Sequence, residues 1–573
     1  MFRALLIAAA AVLLLAAKPA PSVDYSLGVA PQTSGPPLLT VEIRLRGDAD
    51  GETRLDLPDH FGDGTEGWRY LSALSVRGAS VTAPDPAHRL LRHRPGAKLV
   101  IRYQVRTAYP EDPPGEAGNT YRGPLIRPEW FAVLGNFVFA IPEGRESEPA
   151  TFAWGKLPKG WRVASDLEHG AMGRPMSTKD IDESIAMGGA RLAVEERPIP
   201  GGVLRFATLA DGPFQPGPLA DQVARIVSAE RAFWNDLREP YFVALIPLTA
   251  KPHGSSTGGT GRGDGFVLYA TPNGADALEF TIGHEHTHTW IPERTGRMPE
   301  TAEPAVYWFS EGFTDFFTTR TELRAGLIGA AEAVARMDKS MRAYDASPAR
   351  TAPAARIVIE FWNDPNVEQL PYQRGQLLAL KWDEEIRRKT GGKADLNTAI
   401  LRMRDHYQQF PAGQGPDVVT GLVSAVWVTA ALDIRPDIAK YADDGAVVPL
   451  PDEMFDGCLQ ARVTISPGFD AGFDADASFT TKVLKGVKRR GPAWNSGLRD
   501  GMVLDAWTYK AGDMTRQIEL TVRPPARRGV KARPRTIAYW PYGDVDTQTR
   551  ALQLTPGMSE AARAACGKKI GGL

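Results

Sequence analysis

The sequence predicts a multidomain α+β protein: a β-rich front, a mainly helical middle and a β-rich end. Three observations carry that expectation. Short alternating strands separated by turn clusters fill residues 23–195. Helix-period apolar patterning takes over across 196–446. Strands with glycine-rich turns return over 447–573. A chain of 573 residues has room for roughly three or four domains. With 43% hydrophobic and 24% charged residues it can build real cores, so a disordered chain is excluded. The 67 Lys+Arg are balanced by 68 Asp+Glu, leaving a net charge of -1, and with no basic excess no nucleic-acid partner is expected.

The first element is an address. Arg3 gives a positive start, residues 4–17 form an apolar run without a polar side chain, and Lys18, Pro19 and Pro21 end it. The run is short for a bilayer span and fits the core of a signal peptide, with Ala20-Pro-Ser22 as the cleavage site. Residues 1–22 are therefore expected to be removed. The mature chain is expected to have no stable membrane anchor and to be exported, periplasmic or extracellular. Cys458 and Cys566 would then meet oxidising conditions and are expected to pair.

The front region, 23–195, reads as an N-terminal β-sandwich. Leu39-Thr-Val-Glu-Ile-Arg-Leu45 and Lys98-Leu-Val-Ile-Arg-Tyr-Gln-Val105 alternate apolar and polar, as half-buried strands do. The middle begins with a helical pattern in which Val223, Ile226, Val227, Phe233 and Trp234 share a face.

The chemistry lies in Thr281-Ile-Gly-His-Glu-His-Thr-His-Thr-Trp290. Composition alone gives below about 0.02 expected occurrences of His-Glu-x-x-His in such a chain. On a helix, His284 and His288 stand one turn apart and can reach one metal ion. Glu285 beside them can take the proton of an attacking water. Asn273 or Asp276 is expected to cap this helix and Pro292 lies past its end. A zinc site of this kind needs a third ligand. Glu311 and Asp315 are again four apart in an aromatic-rich helical segment, with Glu311 as the expected ligand and Asp315 as the residue that orients a ligand imidazole. His286 points off the ligand face and reads as structural, and His253 is a candidate for the cleft wall.

These residues resemble the glycyl aminopeptidase family of gluzincin zinc metallopeptidases, which carry a C-terminal PDZ domain. The resemblance rests on His284-Glu-His-Thr-His-Thr-Trp290, Trp308-Phe-Ser-Glu-Gly-Phe-Thr-Asp315, Leu323-Arg-Ala-Gly-Leu-Ile328 and Tyr372-Gln-Arg-Gly375. Weaker matches at 134–142 and 157–161 extend it toward the front. It implies a thermolysin-like, mainly helical catalytic domain over 196–446. It also implies one zinc per chain on His284, His288 and Glu311, with Glu285 as general base and Tyr372 as donor to the oxyanion. Peptides or proteins would be the substrates.

The family usually has Gly-Gly-x-Glu-His on the strand before the zinc helix, where the Glu helps hold the substrate's free amino group. Here Gly258 and Gly259, carried over as substrate-binding, open Gly-Gly-Thr-Gly-Arg-Gly-Asp-Gly, with no Glu. Asp264 is the nearest substitute, and Arg262 beside it would repel an ammonium. Aminopeptidase action is the expected function. Zinc endopeptidase and a non-catalytic peptide-binding protein remain as alternatives. At the end of the chain, 447–573, Gly491-Pro-Ala-Trp-Asn-Ser-Gly-Leu-Arg-Asp-Gly-Met502 looks like the helix-turn of a PDZ domain. Such a domain would bind a peptide C-terminus or make an intramolecular contact.

Overall fold

The structure, a computed structural model, describes residues 23–572 apart from 60–65, 112–122, 169–174, 238–240, 251–254, 264, 412, 515 and 525–532. The expected signal peptide, His253 and Asp264 lie outside the described residues.

The alternating strands of the front region form two sheets around one core. A six-stranded sheet runs in the order Met176–Ser177, Pro149–Trp154, Val23–Ala30, Leu38–Arg46, Lys98–Val105, Leu71–Arg77. A four-stranded sheet runs Ile141–Pro142, Glu52–Asp56, His88–His93, Ala79–Thr82. In the larger sheet Ile43 pairs with Ile101 and Val41 with Tyr103, so the buried set of each strand faces inward together. Leu55 and Leu91 of the smaller sheet close the same core.

A second four-stranded sheet, Arg162–Ser165, Ile185–Gly189, Trp130–Leu134, Leu125–Ile126, joins the front to the middle. Its Leu134, Ile185 and Met187 share a core with Ala207, Phe242, Ala244 and Val267 of the next sheet.

That next sheet carries the site. Its strands are β1 (Leu192–Ile199), β2 (Gly202–Leu209), β3 (Tyr241–Pro247), β4 (Thr257–Arg262) and β5 (Gly265–Ala270), in the order β1-β2-β3-β5-β4. Strands β2, β3 and β5 are mutually parallel neighbours, and β4 is an antiparallel edge strand on β5. Both faces of β3 and β5 are covered, which is why Tyr-Phe-Val-Ala-Leu-Ile and Phe-Val-Leu-Tyr-Ala read as continuous apolar runs.

Helices α1 (Pro216–Trp234), α2 (Ala275–Thr287), α3 (Tyr307–Ser310), α4 (Gly312–Ala325), α5 (Ala330–Ala346) and α6 (Leu370–Thr390) are the helices of the middle that bear on the site, and others, such as Leu396–Tyr407 and Val418–Ala430, pack around them. Proline opens α1 in its first turn, and Asn235, in the left-handed region at φ 46°, ends it. Its Val223, Ile226 and Val227 pack on Phe206, Val243 and Leu245 of the sheet. Trp308, Phe313, Phe317, Leu377, Leu378 and Trp382 form a separate helical core.

The last region divides its packing. Met454, Phe455, Cys458, Leu459, Leu552, Cys566 and Ile570 belong to the helical core. Phe473, Leu484, Leu498, Leu504, Leu520 and Val522 form a core of their own around the sheet Val503–Thr508, Ile518–Arg523, Arg535–Tyr539. Helix Pro492–Asn495 falls in the expected helix-turn. Among the described residues no helix lies between Val503–Thr508 and Ile518–Arg523. Cys458 and Cys566 form a disulfide across 108 positions. No helix among the described residues is long and apolar enough to cross a membrane.

Candidate metal centre and catalytic site

Helix α2 lies against edge strand β4 and is buried from its middle onward. Gly274 holds its N-cap position without a side-chain cap, in place of the expected Asn273 or Asp276. The Asn273 side chain instead accepts a hydrogen bond from the Thr271 hydroxyl at 3.0 Å. The helix is fixed from behind. Thr287 Oγ1 donates to Glu230 Oε1 of α1 at 3.1 Å, and His286 Nδ1 lies 2.6 Å from Glu230 Oε2. His286 also meets the rings of Tyr241 and Trp290 edge-on, at centroid distances of 4.6 and 4.9 Å. It is therefore a packed structural histidine, as its position off the ligand face implies.

His284, His288 and Glu311 come together, with one ligand atom from each lying within 4.8 Å of the others. His284 Nε2 is 3.1 Å from His288 Nε2 and 3.2 Å from Glu311 Oε2, and His288 Nε2 is 3.6 Å from that oxygen. The outer nitrogens settle the tautomers. His284 Nδ1 is 2.8 Å from the Asp315 carboxylate and His288 Nδ1 is 2.9 Å from the Ile291 carbonyl. Both partners only accept, so both Nδ1 atoms carry hydrogen, and in the neutral rings that metal binding requires both Nε2 atoms present lone pairs. Two imidazole lone pairs and a carboxylate aimed at one point repel each other unless a cation lies among them. This two-His, one-carboxylate set fits zinc with a position left open.

Glu311 sits at the junction of α3 and α4, where the helical bonds continue: its N–H donates to Tyr307 O at 2.8 Å, and Asp315 N–H donates to Glu311 O at 2.9 Å. Glu311 and Asp315 thus share one face, one on the metal point and the other behind His284. Burial alone would raise the Glu311 pKa, but His288 and His284 override it and hold the carboxyl well below the usual range. Burial would lower His284, yet Asp315 and Glu311 raise it well above an ordinary histidine.

The Glu285 side chain lies against β4 and feels the charges of all three ligands. A Cβ built on Gly259 would fall on the Glu285 side chain, so glycine is required there for that carboxyl to lie against the strand. Burial raises the Glu285 pKa, while His284 and His288 pull it down. Gly261, two residues on, presents the same face, where an added Cβ would come within 3.4 Å of His288 Cβ. Gly258 lies in the same strand. The Arg262 guanidinium donates to the carbonyl of Asp182 at 3.0 Å, fastening the strand's end to the front region.

Tyr372 of α6 packs on the centre. Its ring stacks on His284 at 6.0 Å between centroids and 24° between planes. Helix α6 gets that close because Gly375 packs against α3 and α4: a Cβ there would strike the Trp308 carbonyl and come within 2.9 Å of Gly312 Cα. Burial first, then Glu311 and Asp315, raises the Tyr372 pKa and keeps its hydroxyl a donor.

His284, Glu285, His288, Glu311, Asp315, Gly259 and Tyr372 thus lie together, while Gly258 is placed only by its strand. Sequence reasoning missed Glu230 and Tyr307. Glu230 lies 56 positions from His286 with no motif to join them. Tyr307 is one turn before Glu311, a spacing that would have found it.

Residues 278–369 match the family model of the M61 glycyl aminopeptidases. Among solved structures, the chain is similar to the aminopeptidase N family protein from Idiomarina loihiensis. That match has a TM-score of 0.67 and 13% identity, and covers 95% of this chain and 99% of the other. An M1 zinc metallopeptidase from Deinococcus radiodurans matches with a TM-score of 0.45 and 17% identity, covering 76% and 96%. No curated protein matches the chain.

Proposed function

We propose that the chain, a zinc metallopeptidase whose residues 278–369 match the M61 glycyl aminopeptidase model, is an exported aminopeptidase acting on peptides with free N-termini. The observation that carries this reading is the meeting of His284 Nε2, His288 Nε2 and Glu311 Oε2 beside a buried carboxyl, Glu285, that is not one of the three. The apolar run at 4–17 and the Cys458–Cys566 disulfide support export.

His284, His288 and Glu311 would hold one zinc, which when bound supplies a Lewis acid for the scissile carbonyl and acidifies water. Glu285 accepts the proton of the attacking water and returns it to the departing amine. Burial favours this exchange by raising its basicity above that of a surface carboxylate. The Tyr372 hydroxyl donates to the carbonyl oxygen as negative charge develops there. The small C-terminal domain is read as an intramolecular brace rather than a peptide receptor. Its Gly512 lies against α5, where an added Cβ would be 3.8 Å from Ala346 O.

A zinc endopeptidase is the second reading, favoured by Gly259 and Gly261 on the face of β4 that looks at the metal helix. A peptide panel with free and acetylated N-termini separates the two. Stepwise loss of the first residue from free peptides alone supports the proposal; internal cuts in acetylated peptides at equal rate overturn it. Glu285→Gln should keep the metal and lose at least about 100-fold in rate, and wild-type turnover by that variant would defeat the mechanism.

A further inference from the structure

Glu303 opens a ridge of four residues at helical spacing: Glu303, Tyr307, Glu311 and Asp315. It stands in the short helical turn Glu303–Val306 that leads into α3, and it is exposed. Its carboxylate accepts a hydrogen bond from Tyr307 Oη at 3.2 Å. Tyr307 in turn accepts the Glu311 N–H through its backbone carbonyl at 2.8 Å. The side chain next to the metal ligand on this face is thus bonded to Glu303.

Two features mark this position. Partial burial is the first cause that raises the Glu303 carboxyl, the Tyr307 hydrogen bond opposes it, and the negative charges of Glu311 and Glu293 add smaller upward pushes. A carboxylate in that surrounding gains from any cation that reaches it. Beside it runs an aromatic chain. The Tyr307 ring meets Phe361 edge-on at 4.9 Å, and Phe361 meets Trp362 at 4.8 Å. Trp362 is 47% exposed, so a large ring is open to solvent on the same wall. A carboxylate at the end of an aromatic wall suits a cationic group on an extended peptide, which can take a charge pair at one end and ring faces along its stem.

We propose that Glu303 is a specificity residue that receives a positively charged group of the peptide substrate. This rests on the peptidase reading of the neighbouring centre. The shared chemistry is a nitrogen cation, from either the free α-ammonium or a Lys or Arg side chain. Strand β4, with Gly259 and Gly261 facing the centre, offers no carboxylate for that purpose among its described side chains.

The test uses the full zinc-loaded chain carrying Glu285→Gln, so that affinity is read by calorimetry without turnover. Four matched peptides serve as probes: neutral with a free N-terminus, neutral and acetylated, acetylated with one Lys, and acetylated with one Arg. At least one cationic peptide is expected to bind about tenfold more tightly than the neutral acetylated one. Adding Glu303→Gln should erase that advantage while leaving the neutral peptide's affinity unchanged, and Glu303→Lys should reverse it. The arm that loses its advantage identifies the cation. Equal binding of all four peptides, or an advantage that survives Glu303→Gln, overturns the inference. Because binding is measured without hydrolysis, failure of the aminopeptidase reading shows separately, in the cleavage panel.

Discussion

The Asp315 carboxylate lies 2.8 Å from Nδ1 of His284, on the side of the ring away from the metal point. It fixes both the tautomer and the ring plane, so that Nε2 faces Glu311 and His288. A carboxylate in this position also makes the imidazole a better donor. Asp315→Ala is expected to weaken zinc binding by about 10- to 100-fold, with Asp315→Asn in between. Competition against a chelating dye measures it. Wild-type affinity in Asp315→Ala would mean that packing alone orients His284.

Tyr372 stacks on the same histidine. As a donor to developing negative charge, its hydroxyl should matter in the transition state and little in the ground state. Tyr372→Phe is expected to lower kcat by roughly 100-fold with KM little changed and zinc content intact. A change confined to KM would make Tyr372 a substrate contact only.

How far the sequence could be read follows from what each residue interacts with. His284, Glu285 and His288 act through a single helical turn, and Glu311 and Asp315 through another, so i, i+4 spacing was enough to place them. Tyr372 was legible only by family resemblance, because its position depends on Gly375 packing against the Trp308 carbonyl far away in sequence. Glu230 left no trace: its two bonds to α2 cross more than 50 positions. The helix cap was misjudged because Asn273 finds a partner in Thr271, leaving Gly274 to begin the helix. The strand alternation of the front region was plain, since each strand buries one face only.

The fit of Gly259 against Glu285 gives a sharp test of the site's shape. A methyl group at 259 has no free volume and must push the carboxyl or the strand aside. Gly259→Ala is expected to cost at least about tenfold in kcat while zinc stays bound, since small displacements of a catalytic group are expensive. Unchanged kcat would place the working position of Glu285 away from β4.

The Cys458–Cys566 disulfide joins the start of a core strand to the last helix, Glu560–Gly571, whose Gly571 carbonyl accepts from Arg324 at 3.0 Å. The bond closes a loop across 108 positions, so the chain-entropy account allows up to about 4–5 kcal/mol of stabilisation. The Cys458→Ser, Cys566→Ser double variant is expected to melt at a lower temperature than wild type, and reductant should lower the wild-type value similarly. Two alkylatable thiols in freshly purified protein would refute the pairing.

Glu322 on α4 supplies a pH dependence that is independent of the metal ligands. It is fully buried, and burial first raises its carboxyl pKa from 4.5 to about 7, against the opposing pull of Arg336 at 2.6 Å. A raised folded-state pKa means that the folded chain holds this proton more tightly than the unfolded one. The contribution is therefore fully present below about pH 4.5 and is lost as pH rises through about 7. A shift of this size corresponds to about 3 kcal/mol across the window. Glu322→Gln keeps the neutral shape at every pH, and Arg336 retains Glu332 at 2.7 Å and Glu279 at 3.2 Å. Urea unfolding of both proteins from pH 4 to 8 should show near-equal stability at the acid end and a variant advantage that grows toward pH 8. A difference that stays constant over that range would show that the Glu322 proton is not taken up on folding.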